Sequence, residues 1–215
     1  MGRCERILKK IKELKLKSNN IKWHESKITL KDIEKRNKHD GCVIWLTGLS
    51  ASGKSTIAVE VELQLFRLGC QVKVLDGDNV RHGLNKDLGF SKEDRIENIR
   101  RISETSKLFR SSGIIVINAF ISPFQKDRNE ARKIIDKGHF IEVYVKTSLE
   151  ECIKRDPKGI YQKALNGKIR EFTGITSPYE EPKNPEIIVD TEKLNIKESS
   201  EKIIGYLKKR KIIYI

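Results

Sequence analysis

Residues 48–55 read Gly-Leu-Ser-Ala-Ser-Gly-Lys-Ser. Two glycines at this separation, with a lysine and a hydroxyl directly behind the second, suit the holding of a nucleoside triphosphate by its phosphates. Gly48 and Gly53 let the chain curl so that successive backbone N–H groups face inward at phosphate oxygens. Lys54 reaches the β- and γ-phosphates, and Ser55 offers its hydroxyl to Mg2+. The plain alternative is a Gly/Ser loop that only turns a strand into a helix. The flanks favour the phosphate reading: the apolar run Val-Ile-Trp-Leu-Thr precedes the loop, and an amphipathic stretch follows it. The helix N-terminus that results adds a partial positive charge. Such a P-loop implies a nucleotide but not its fate, since GTPases, ATPases and kinases of nucleotides or metabolites all use one.

A second group of polar residues lies at Asp76-Gly77-Asp78-Asn79, directly after another apolar run. At the carboxyl end of a strand both carboxylates would face the ligand crevice. Asp78 is then placed to accept or orient the proton of an acceptor hydroxyl, and Asp76 to hold the water shell of a metal. The competing reading is an Asp-Gly turn with a helix N-cap, which needs no ligand. Arg81, Phe90, Arg95 and Asn98 follow. Arg95 and Asn98, three apart, fall on one side of a helix and supply donors for a second anion beside a ring able to stack on a base. Further on, Ser122 precedes Pro123, which reads equally as an ordinary helix N-cap with proline at the first helical position.

The elements that must position these groups are legible as alternating patterns. Short runs rich in Val and Ile at 42–47, 71–76, 114–119, 140–145 and 187–189 read as strands covered on both faces. Amphipathic stretches at 54–68, 93–111, 124–137, 149–155 and 196–209 read as helices. Strand–helix alternation predicts an α/β fold, a doubly wound parallel sheet flanked by helices. Residues 156–185 break the alternation with Gly, Pro and charge, and a stretch of that length inside a domain is expected to be functional, as a mobile lid. The simplest division is a basic extension over 1–40 with helical segments and one domain over 41–215.

The chain of 215 residues carries 44 Lys and Arg against 30 Asp and Glu, a formal charge of +14. That favours anionic partners, yet no aromatic-studded basic stripe for stacking bases is visible, and nucleic acid is not expected. No apolar run approaches the roughly 18 residues of a membrane span. Four scattered cysteines, without a CxxC pair, suit a reduced compartment with neither disulfides nor zinc. The first twenty residues form a short basic amphipathic pattern around Ile7, Leu8, Ile11 and Leu14, expected as a surface helix of a cytoplasmic protein. A targeting segment for a mitochondrion-related organelle is the alternative.

The run LDGDNVRHGLNKDLGFSKEDRIENIRRI resembles the signature of the adenylylsulfate kinase family, and the resemblance continues in order elsewhere. Trp23-His24 and residues 37–41 are similar to the family's N-terminal segment. NAFISPFQKDR, RDPKGIYQKA and FTGITSPYEEP follow downstream. The resemblance implies a P-loop NTPase-type fold and the ATP-dependent phosphorylation of adenosine 5′-phosphosulfate (APS) at its 3′-hydroxyl. The products would be ADP and 3′-phosphoadenosine 5′-phosphosulfate (PAPS), with Mg2+. It implies that Gly48, Leu49, Ser50, Ala51, Ser52, Gly53, Lys54, Ser55 and Thr56 bind ATP. Asp78, Asn79, Val80, Arg81, Arg95, Ile96, Glu97 and Asn98 would line the APS site. Ile121, Ser122 and Lys158 would join them, with Phe90 and Phe172 sandwiching the adenine and Glu171 beside the second ring. The serine matching Ser122 is a suggested phosphoryl carrier in bacterial members, whereas direct in-line transfer needs none. A homodimer and a separate ATP sulfurylase as the source of APS are also implied.

Some residues depart from the family pattern. Ala51 stands where Gly is frequent, which suits a negative φ there. Gln125 replaces a basic residue, and Glu171 replaces Gly before Phe172. Two other readings stay open at this point: a kinase of a different hydroxyl acceptor, and a basic nucleic-acid-binding module or P-loop switch.

Overall fold

The computed structural model describes residues 20–22, 24–136 and 138–214. The amphipathic pattern expected over the first twenty residues lies outside these except for Asn20, as does Trp23.

Five strands form one parallel sheet: β1 (Val43–Thr47), β2 (Val72–Asp76), β3 (Ile115–Ala119), β4 (Phe140–Lys146) and β5 (Ile187–Asp190), in the order β2-β3-β1-β4-β5. Val43 of β1 pairs with Val116 on one side and Phe140 on the other. Every residue of β1 and β3 is buried, as central parallel strands require. The edge strand β2 buries little besides Leu75.

Eight helices are assigned among the described residues: α1 (Leu30–Asn37), α2 (Lys54–Arg67), α3 (Gly77–Arg81), α4 (Lys92–Ser111), α5 (Gln125–Ile134), α6 (Leu149–Arg155), α7 (Ile160–Leu165) and α8 (Ile196–Lys209). Side chains along β1 alternate between two cores. Ile44 and Leu46 meet Ile57, Val61 and Leu65 of α2 and Ile203 and Leu207 of α8. Val43 and Trp45 meet Ile99 and Ile102 of α4 together with Phe120 and Phe140. This alternation makes the sheet doubly wound, because each face must be covered to bury an unbroken apolar strand. None of the described helices is long and apolar enough to cross a membrane.

The expected strands and long helices stand within a few residues of their predicted bounds. Of the three short helices, α1 falls in the extension expected to hold helical segments and α3 follows the N-cap reading of the Asp-Gly turn, whereas α7 carries too little periodicity to be read in advance. The helix expected over 124–137 is shorter, at Gln125–Ile134, and its N-cap is Phe124, so Ser122 does not cap it. Segment 156–185 is more structured than expected: α7 lies within it, and Tyr161 and Thr173 are buried.

At the amino ends of the strands, α1 begins with a capping box between Thr29 and Asp32. It is docked by Asn37 Nδ2 on the Gly113 carbonyl (3.4 Å) and by Glu34, which accepts from the Gly41 amide at 3.1 Å. Gly113 turns the chain from α4 into β3 with φ +75, and a Cβ there would lie 2.5 Å from Ile33 Cγ2. Gly113→Ala is therefore expected to lower stability by about 2 kcal/mol or more, read as a reduced denaturation midpoint. Gly69→Ala, at a similar φ with open space around it, should cost only the backbone share.

Candidate functional site

The loops that follow β1, β2, β3 and β4 all emerge at the carboxyl edge of the sheet, where open α/β sheets bind ligands. After β1 the chain turns at Gly48, where a Cβ would lie 2.5 Å from the Val145 carbonyl oxygen. Gly53, at φ +98, is the N-cap of α2. Ala51 has φ +60, which corrects the expectation of a negative φ. The left-handed conformation costs a non-glycine residue about 1–2 kcal/mol, so the surroundings hold the loop in shape. Tyr161 of α7 donates to the Ser50 carbonyl at 3.0 Å, while the Thr147 and Thr191 hydroxyls, themselves 2.7 Å apart, lie 3.3 and 3.2 Å from the Ser52 carbonyl, which one of them can reach with its proton.

Lys54 is buried and curls back, donating from Nζ to the Leu49 carbonyl at 2.6 Å. Burial pushes its ammonium down to about 8, partly opposed by the nearby Cys152, Asp76 and Asp78. Ser55, one residue on, donates from Oγ to Asp76 Oδ2 at 2.6 Å. The other oxygen of Asp76 accepts from the Asp78 amide at 2.9 Å, which caps α3. Asp76 is thus the helix N-cap of the ligand-free reading of this turn, and its second oxygen faces the loop's hydroxyl. Two hard oxygens so placed suit a magnesium ion that keeps waters and phosphates as its other ligands.

Asp78 is exposed on α3 and pairs with Lys158 Nζ from the 156–185 segment. Asn79 is exposed, and Val80 packs toward the second core. Arg81 donates to the Leu88 and Gly89 carbonyls at 3.0 and 2.9 Å and lies over the Phe90 ring, 4.3 Å from its centroid. Phe90 itself remains 65% exposed, unusual for a ring with a packing role alone. Arg95 links two parts of the chain: Nε donates to the Phe90 carbonyl at 2.9 Å, Nη1 to Thr173 Oγ1 at 2.8 Å, and Nη2 to the Glu171 carbonyl. Both ring-bearing stretches thus hang from one guanidinium. Phe172 meets Tyr161 edge-on at 4.9 Å, and Glu171 takes φ +53, the conformation that a glycine there would adopt without strain.

Not every candidate converges. Glu97 faces Arg100 and Arg101, at 2.7 and 2.9 Å, in a network that continues to Asp87. These partners hold its carboxyl below the usual range. Ile96 is half-buried beside it, and Thr56 is exposed one residue beyond Ser55. Ser122 is 2% exposed; its Oγ accepts from Trp45 Nε1 at 3.0 Å. The adjacent Ile121 carbonyl accepts from Thr47 Oγ1 at 2.7 Å. Asn98 is buried and its Oδ1 accepts from Asn85 Nδ2 at 2.9 Å, which leaves its own NH2 to point elsewhere. Tyr161, Asn85 and Thr47 were not singled out from the sequence, because each acts through a partner distant in the chain.

A family model described as adenylylsulphate kinase matches residues 40–190. The chain is 57% identical over 188 residues to a probable adenylyl-sulfate kinase of Halalkalibacterium halodurans, covering 87% of this chain and 93% of that one. It is 56% identical over 196 residues to an adenylyl-sulfate kinase of Staphylococcus epidermidis, covering 91% and 98%. Among solved structures, the Mycobacterium tuberculosis APS kinase in complex with AMPPNP and APS superposes with a TM-score of 0.75 at 46% identity. That superposition covers 79% of this chain and 99% of the other.

With Lys54 titrating at about 8 in the ligand-free protein, a bound triphosphate will favour its charged form and raise that value. Binding at pH 8 is therefore expected to take up about half a proton per nucleotide, falling toward none at pH 6. Calorimetry in buffers of different ionisation enthalpy reads this directly. Affinity should decline as pH rises through 8, and Lys54→Arg should flatten the profile.

Proposed function

Because this chain belongs to the adenylylsulfate kinase family, we propose a division of labour among its residues for the transfer of the γ-phosphoryl group of ATP to the 3′-hydroxyl of APS, giving PAPS and ADP. The chain is an ATP-dependent phosphotransferase with an alcohol acceptor. The observation that carries the residue assignment is the facing pair at the carboxyl edge: the Lys54–Ser55 loop on one side, and the Asp78 turn with Arg81, Phe90 and Arg95 on the other.

Residues 48–56 receive ATP, with the loop amides on its phosphates and Lys54 moving from the Leu49 carbonyl to the β- and γ-phosphates. Ser55 and Asp76, with their oxygens 2.6 Å apart, would hold Mg2+, which when bound neutralises charge between those phosphates. On the acceptor side Asp78 exchanges Lys158 for the 3′-hydroxyl. It orients that oxygen for in-line attack on the γ-phosphorus and accepts its proton as the new O–P bond forms and the β–γ bridging bond breaks. Lys158, released, meets the developing or resident negative charge.

Arg81, Arg95 and Asn98 supply donors near the phosphosulfate, and Phe90 and Phe172 offer faces to the adenine. Asn79, Val80, Ile96, Glu97 and Glu171 shape the acceptor side through backbone and packing. Residues 156–185 would close over the acceptor as a lid, which excludes water from the transfer. The burial of the Ser122 hydroxyl under Trp45 supports direct transfer over a phosphoserine carrier.

Residues 41–215 would constitute the kinase domain and 1–40 an extension of it. Family membership is the support for a homodimer and for a separate ATP sulfurylase that supplies APS. The bacterial origin of the relatives supports a cytoplasmic place of work.

The test is to incubate the chain with Mg·ATP and APS and follow ADP and PAPS together. Stoichiometric PAPS with ADP release dependent on APS is expected. Asp78→Ala should reduce turnover about a hundredfold or more, the range for losing a positioned base, with nucleotide binding retained. ADP release that does not need APS would overturn the acceptor assignment.

A further inference from the structure

Arg128 lies on α5, and its side chain is fully buried, so it cannot itself reach a substrate in this arrangement. Four hydrogen bonds nonetheless tie its planar fork to three parts of the fold. Nε donates to Glu142 Oε1 of β4 at 2.8 Å, and Nη1 to the Ser122 carbonyl at 2.7 Å. Nη2 donates to the Glu180 carbonyl at 2.6 Å and to Gln125 Oε1 at 3.1 Å. A lysine, as a single point donor, could not hold three directions at once.

The two carbonyls it joins belong to segments with a stake in the acceptor site. Ser122 has φ +39, a strained conformation that persists only where neighbours over-determine it. Here Arg128 grips its carbonyl and Trp45 its hydroxyl. Glu180 lies downstream of Phe172, where the 156–185 segment returns to the body. That return is stitched to the same turn: the Glu180 amide donates to the Pro123 carbonyl, and Glu180 Oε2 accepts from the Gln125 amide, both at 2.8 Å. Thr47 donates to Ile121, so the Tyr179 hydroxyl, 3.0 Å from Thr47 Oγ1, is left to donate to it. A buried ion pair alone is weak evidence of stabilisation, since an apolar pair of like volume often does as well. What an apolar pair cannot do is fix two carbonyls relative to a strand.

We infer that Arg128 is a positioning residue for the acceptor: it locks the Ile121–Ser122 turn and the Tyr179–Glu180 root of the Phe172 segment to β4 as one rigid unit. This rests on the proposed function, in which Phe172 offers a face to the adenine of APS, and on the family resemblance, which implies Ile121 and Ser122 at the same acceptor. The phosphate loop is pinned by other groups, namely Tyr161, Thr147 and Thr191. Loosening Arg128 should therefore damage the acceptor side and spare ATP.

The experiment compares the full-length wild type with Arg128→Lys, with the charge-neutral double variant Arg128→Gln/Glu142→Gln, and with Tyr179→Phe, which removes only the hydroxyl tie. Thermal melts, KM for APS, KM for ATP and kcat are measured for each. The double variant should melt cooperatively, raise KM for APS about tenfold or more, and leave KM for ATP within about twofold. Arg128→Lys should recover part of the loss, and Tyr179→Phe should shift KM for APS in the same direction by less. Equal loss for both substrates, or an unchanged KM for APS in folded variants, overturns the inference and leaves the functional reading intact. If the Arg128 variants do not fold, Tyr179→Phe decides alone, and an unchanged KM for APS overturns it. A wild type that does not phosphorylate APS overturns the functional reading and this inference with it.

Discussion

A loop that is to offer its backbone amides to phosphates can spend few of them on holding itself together: here the Ser52 amide meets the Leu49 carbonyl at 3.3 Å, and much of the surrounding structure follows from that constraint. The Leu49, Ser50 and Ser52 carbonyls of the loop are held largely by side chains. Lys54 takes Leu49, Tyr161 takes Ser50, and the Thr147–Thr191 pair takes Ser52. These partners come from the loop's own helix, from α7, and from the ends of β4 and β5. The positive φ of Ala51 is tolerable only within such a frame. The order β2-β3-β1-β4-β5 is what delivers those partners, since it sets β1 in the middle with β4 alongside.

The charged groups around the loop satisfy one another in the same economical way. Ser55 is paired with Asp76, Asp78 with Lys158, and Arg95 with the Thr173 hydroxyl and two backbone carbonyls. A site dense in charge must either be solvated or self-paired, because an isolated buried charge is costly. Under the proposed assignment substrates would bind by exchange of partners, with Lys54 leaving the Leu49 carbonyl and Lys158 leaving Asp78. The exposed pair Asp78–Lys158 is worth little to stability, which makes it cheap to open. Lys54, by contrast, is buried and titrates low, so a triphosphate meets a cation with few other ways of being satisfied.

How much of this was legible beforehand depended on the range of the interaction. The strands of the sheet and the helices α2, α4, α5, α6 and α8 were read from runs of β-branched residues and apolar spacing, signals that act within a few residues. The loop at Gly48–Ser55 was likewise readable, since glycine spacing reports backbone geometry directly. Helix α3 was legible only through the N-cap at Asp76, and α7 not at all, because five or six residues hold less than two turns of periodicity. Ser122 misled as a cap: Ser-Pro is a local signal for a helix start, but Trp45, 77 residues away, claims the hydroxyl, and the helix begins after Phe124. Glu97 sits in the most recognisable run of the chain, and its carboxylate is engaged there by Arg100 and Arg101.

The sequence by itself therefore determined the strands and longer helices, their order, the phosphate-binding loop and the family's signature run, all of which are encoded in neighbours along the chain. Only the tertiary structure decided which side chains share a partner. Lys158 meets Asp78 across 80 positions, Arg95 meets Thr173 across 78, and Tyr179 meets Thr47 across 132. Such pairings leave no periodic trace in one sequence, because they are fixed by how the strand ends are brought together and not by what stands beside them in the chain.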